Sequence, residues 1–157
     1  MRPKHFTLAS IETTQAANLL LRFADGEQFE VNLANVIKKY PALKRLNDPR
    51  VFSSAKVGSH GASVVWADDD DLELAADNLR ARAVEQAGSV SHEFIWEWMA
   101  RNGLTLDAAA VALGVSRRML AYYRSGAKAV PRTVALACIG FEEIVKTGND
   151  ERFALAA

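Results

Sequence analysis

Residues 103–126 read GLTLDAAAVALGVSRRMLAYYRSG, and the fold of the C-terminal half turns on them. Thr105 is placed to accept a bond from the free amides of a helix beginning at Leu106. Ala108, Ala109, Ala110 and Ala112 give that helix small side chains, along which another helix can cross closely. Gly114 stands where the chain must turn sharply through positive φ. Val115 is apolar and packs under the turn. Ser116 then caps the next helix, Arg117 to Ser125, which Gly126 ends.

Outward from this core stretch, His92 to Asn102 reads as a preceding helix with Phe94, Ile95, Trp98 and Met99 on its inner side. Trp96 cannot share that face, because positions two apart on a helix diverge; it is either an interface residue or simply exposed. On the other side, Pro131 opens a further helix that runs to about Val145. No clear strand is expected from Ser91 onward. Charge is also distributed unevenly here. Between Asp107 and Glu142 there is no acid, yet Arg117, Arg118, Arg124, Lys128 and Arg132 all fall in that interval. A local field of one sign is what a phosphate backbone would select.

The 103–126 segment resembles the lambda-repressor/Cro-like (XRE-type) helix-turn-helix family, and matches it without a gap. Ala110 stands at the small position of the second helix and Leu113-Gly114-Val115-Ser116 at the inter-helix turn. Leu120 stands at the buried aliphatic position of the recognition helix, with Gly126 as its terminator. Ala129 to Ala137 is similar to the entry into the fourth helix of that family. The resemblance covers about fifty residues, a third of the chain. It implies that the third helix enters a DNA major groove. Arg117, Arg118 and Tyr122, with Ala121 beside them, then match the outward residues that contact bases, whereas Ser116, Arg124, Lys128 and Arg132 are placed for phosphates. Arginine suits bidentate contact with guanine. Two positions depart from the pattern: Leu106 stands where the family often has Gln, and Arg124 where it often has Glu.

The N-terminal part reads as strands and turns. Asn18 to Phe23 and Gln28 to Leu33 form a hairpin around Asp25-Gly26, a dipeptide whose residues both tolerate positive φ. Ile11 to Thr14, with Phe6 and Leu8, supplies an earlier edge strand. Asn35 to Tyr40 is a short helix stopped by Pro41. Phe52 to Val57 and Ala62 to Trp66 form a second hairpin around Gly58-Ser59-His60-Gly61, and Leu72 to Ala83 a helix. Leu21 to Glu27, Val31 to Leu33, Leu46 to Phe52, Val64 to Trp66 and Asp77 to Leu79 resemble domain-of-unknown-function family number 2442, over roughly residues 5–83. That resemblance implies a small α+β domain and carries no chemistry. Gln86-Ala87-Gly88-Ser89 marks the boundary. The expected fold class is therefore α+β: a small N-terminal α+β domain with an antiparallel sheet (1–86), then an all-α lambda-repressor-like domain (89–157).

The remaining features narrow the function. The chain has 157 residues, 50% hydrophobic and 24% charged, with no net charge; this is an ordinary globular composition. No stretch approaches a membrane span of about 20 apolar residues, and the N-terminus leads into no signal-peptide core, so a cytoplasmic protein is expected. Cys138, the single cysteine, sits in an apolar run and reads as a buried thiol. Asp68 to Asp71 lack the alternate spacing of a calcium loop and read as a solvated loop or helix N-terminus. His5, His60 and His92 lack zinc-ligand spacing. His60 beside Ser59 has no nucleophile motif, and no convergent catalytic set appears. Neither an enzyme, a cofactor nor a metal is expected. The expectation is a transcriptional regulator binding double-stranded DNA as a homodimer. The alternative is an antitoxin-like or adaptor protein whose helix-turn-helix does not read DNA, meeting a protein partner through the N-terminal domain.

Overall fold

The computed structural model describes residues 1–148; residues 149–157, the end of the expected C-terminal domain, lie outside the described residues. The chain divides into two compact units, the first spanning Met1–Ala87 and the second beginning at Gly88. Helices and antiparallel sheets are both present, so the protein is α+β.

The first unit holds two three-stranded antiparallel sheets. In one, β1 (Leu8–Gln15), β2 (Asn18–Phe23) and β3 (Gln28–Asn32) follow in chain order. Period-two alternation sends Leu19, Leu21 and Phe23 of β2 inward. The register sets Leu19 opposite Val31 and Leu21 opposite Phe29. At the β2–β3 turn only Gly26 takes positive φ (91°), and Phe23 N–H donates to Glu27 O at 2.9 Å. The connection is thus a three-residue loop with glycine at the left-handed position, rather than the two-residue turn the Asp-Gly pair suggests. Next come α1 (Ala34–Lys39), a 3₁₀ segment over Pro41–Asn47, and α2 (Pro49–Phe52). Asp48 nucleates α2 by accepting from Arg50 N–H at 2.9 Å, with proline in the first turn. Phe52 therefore ends a helix, and the expected strand over 52–57 shrinks to β4 (Lys56–Val57).

The second sheet joins β4, β5 (Ser63–Trp66) and β6 (Asp69–Ala75). Here the sequence reading of a helix from Leu72 is overturned. Ala67 and Asp68 both take left-handed φ (53° and 50°), which closes a tight hairpin and returns the acidic run as a strand. The helix, α3 (Ala76–Gln86), starts four residues later. Lys56 pairs with Asp68 and Arg45 with Asp69, so cations of the same unit neutralise part of the acidic run. Both sheets and α3 bury one core, including Leu19, Leu21, Val64, Trp66, Leu72 and Leu79. Arg80 of α3 crosses beside it. Its guanidinium lies 4.9 Å from the ring centroids of both Phe23 and Phe29, pairs with Asp25 at 2.8 Å and donates to His5 O at 2.9 Å.

The described part of the second unit has four helices: α4 (His92–Arg101), α5 (Leu106–Leu113), α6 (Arg117–Ser125) and α7 (Arg132–Thr147). An antiparallel bridge between Val90 and Val130 ties the entry of α4 to the entry of α7. Ile95, Trp98, Ala109, Leu120 and Cys138 are completely buried in its core. Trp98 Nε1 donates to Cys138 O at 3.0 Å, and its ring meets Phe141 edge-on at 5.5 Å. Burial pushes the Cys138 thiol up to about 12, which keeps it protonated and inert. No described helix is long and apolar enough to cross a membrane.

Candidate nucleic-acid interface

The α5–α6 segment is built by local bonds at each step. Thr105 Oγ1 accepts from Ala108 N–H at 3.2 Å and opens α5. At its far end Gly114 adopts φ 68°, ψ 29°. Val115 N–H donates to Ala110 O at 3.1 Å and Gly114 N–H to Val111 O at 3.2 Å, the paired bonds of a Schellman ending. A Cβ at Gly114 would meet nothing within 4 Å, so glycine is there for its backbone conformation. Ser116 Oγ then accepts from Met119 N–H at 3.1 Å and opens α6 two residues after the turn. Ala109 and Ala110 are buried between neighbours, and Leu106, Leu113 and Val115 pack against the same core.

This construction places Leu120 inside and sends Arg117, Arg118, Ala121 and Tyr122 to one outward face, since positions four apart superpose on a helix. The first turn of α6 contains two arginines and no acid. That arrangement opposes the helix dipole, which favours negative charge at an N-terminus, by about 0.3–1 kcal/mol per residue at an exposed site. The Asp107 carboxylate offsets this at Arg117, whereas an external anion beside Arg118 would meet a cationic side chain and the N-terminal amides together.

The structure sorts the candidate residues into four groups. Arg117 Nε pairs with Asp107 Oδ1 at 2.8 Å across the turn, with both side chains largely exposed. Arg118 Nε donates to the Tyr122 hydroxyl at 2.8 Å, and Lys128 Nζ lies 5.0 Å from the centre of the Tyr122 ring. Arg124 is drawn away from these, with its guanidinium carbon 4.6 Å from the Trp96 ring centroid. Trp96, 51% exposed, is thus in contact with a candidate cation, a role its spacing did not reveal. Ser116 has its oxygen engaged as a cap, Ala121 is half-buried, and Arg132 stands exposed as the first residue of α7. Asp107 is the residue that the charge pattern missed: it marks the edge of the acid-free interval yet folds back onto Arg117. Among the described residues, no cluster of three or more His, Cys, Asp or Glu is arranged to hold a metal ion.

Among solved structures, the chain is similar to the crystal structure of a "putative DNA binding protein" from Nitrosomonas europaea ATCC 19718. The two are 40% identical, the match covers 90% of each chain, and the TM-score is 0.80. The chain belongs to the family of that protein. No family model matches the chain, and no curated protein matches it either. Nine tenths of each chain takes part in the match, so membership in this family covers residues of both units and not the α5–α6 segment alone.

Proposed function

We propose that the protein binds double-stranded DNA sequence-specifically and acts as a transcriptional regulator. In this reading α5, the Gly114 turn and α6 are a lambda-repressor-like helix-turn-helix, and the first unit is the small domain resembling family number 2442. The observation that carries it is the cationic first turn of α6, placed on an outward face by a turn whose caps are all made. The name of the Nitrosomonas europaea relative agrees with it. Arg117 and Arg118 enter the major groove and read base edges, with Ala121 and Tyr122 on the same face. Ser116, Arg124, Lys128 and Arg132 meet the flanking phosphates.

The protein works as a homodimer, so that two copies of α6 meet half-sites about one DNA turn apart. Leu136 and Ile139 of α7, 57% and 54% exposed, supply an apolar face for that association. Sedimentation should give twice the chain mass, and Leu136→Glu with Ile139→Glu should return the monomer. A competition gel shift on the DNA upstream of its own gene tests the function. A shift that resists unrelated DNA, and that Arg117→Ala with Arg118→Ala removes, supports the reading. A shift that unrelated DNA erases counts against it.

A further inference from the structure

Two cations around α6 converge on one side chain. The Tyr122 hydroxyl accepts from Arg118 Nε at 2.8 Å, and the Arg118 guanidinium carbon lies 5.5 Å from the same ring's centroid. Lys128 Nζ lies 5.0 Å from that centroid, and Lys128 N–H donates to Tyr122 O at 3.2 Å. The tyrosine therefore binds one cation through its hydroxyl and attracts both through the negative face of its ring. With Nε spent on Tyr122, Arg118 has its two terminal amino groups left, so any fork it offers a partner points end-on. Restricting the side chain before binding also lowers the entropy lost when a contact forms.

From this we propose that Tyr122 is a positioning residue for DNA recognition: it aims Arg118 end-on at a guanine edge and holds Lys128 beside it for the adjoining phosphate. The inference rests on the DNA-binding reading above and refines it, since Tyr122 acts through Arg118 instead of reading a base itself. A bidentate arginine–guanine pair accounts for roughly tenfold to a hundredfold discrimination between bases, and a disordered arginine forfeits part of it.

The test uses the full chain and the duplex that the wild-type protein recovers from a randomised pool, against the same duplex with its guanines replaced one at a time. Tyr122→Phe keeps the ring and removes the hydroxyl. Discrimination at one guanine should fall about three- to tenfold, with melting temperature and salt dependence unchanged. In an Arg118→Ala background the same substitution should have no further effect, because the arginine it positions is gone. Undiminished discrimination in Tyr122→Phe would overturn the inference, as would a loss that persists without Arg118, which would make Tyr122 a base reader in its own right. An equal loss on every duplex would overturn it too, because Tyr122 would then touch the backbone. If the wild-type chain recovers no preferred duplex, the DNA-binding reading itself fails, and this inference falls with it.

Discussion

Gly114 and Arg118 show how single residues carry different parts of the account. Gly114 sits at φ 68° with open space around its missing Cβ. Gly114→Ala should therefore cost about 1–2 kcal/mol through the backbone alone, read as a lowered unfolding midpoint with an unchanged circular-dichroism spectrum in the folded state. A neutral result would mean that the turn relaxes out of the left-handed region. Arg118 and Arg132 separate recognition from attraction. Arg118→Ala should relax base preference at one position, whereas Arg132→Ala should weaken binding evenly across sequences and reduce the salt slope by about one. Binding isotherms on matched and mismatched duplexes at several salt concentrations distinguish the two. Equal effects of both substitutions would remove the base-reading role from Arg118. The helix ends that frame the candidate residues were legible in the sequence because caps and turns are local. The pairings of those residues were not, since Arg117 with Asp107 and Arg124 with Trp96 join residues ten and twenty-eight positions apart that meet only once the helices are packed.

Helices of the second unit were easier to read than strands of the first, and the reason is physical. Thr105, Ser116 and the glycines at 114 and 126 mark helix ends through their own chemistry, and the structure has these caps in place. The β5–β6 hairpin lacks any such mark. Its turn puts Ala67 and Asp68 in the left-handed region without a glycine, and Leu72 with Leu79 and Ala83 mimics a helical spacing although Leu72 belongs to a strand. Two elements invite direct tests. Arg80 links α3 to the first sheet through a half-buried ion pair, a carbonyl bond and two aromatic rings. Arg80→Ala should lower stability by about 2 kcal/mol in denaturant unfolding, and a change within error would make the contacts incidental. Glu142 of α7 accepts from Arg101 Nε at 3.0 Å and Asn102 Nδ2 at 2.9 Å, and these bonds, that from Arg101 foremost, hold its carboxyl below the usual range. A depressed carboxyl stabilises the fold above its unfolded-state pKa, and that stabilisation is lost as pH falls through its folded value. Acidification should therefore lower the melting temperature of the wild type more than that of Glu142→Gln. Parallel curves for the two would exclude the pair as a source of acid sensitivity.

At the scale of the whole molecule, zero net charge conceals a local run of cations, and that run is the link from structure to proposed function. A chain with no net charge attracts DNA only through its uneven charge distribution, here the acid-free interval between Asp107 and Glu142. In the proposed reading binding comes from those few cations and should weaken with salt in proportion to the phosphates they meet. The first unit, with its separate core of two sheets and α3, contributes none of the candidate DNA-contact residues. The most direct measurement is selection from a randomised duplex pool by the full-length chain, run beside the Arg117→Ala, Arg118→Ala double variant. The account predicts that the wild type enriches one two-fold-related sequence, with half-sites about one helical turn apart, and that the double variant enriches none. Equal recovery of all sequences by both proteins would contradict it.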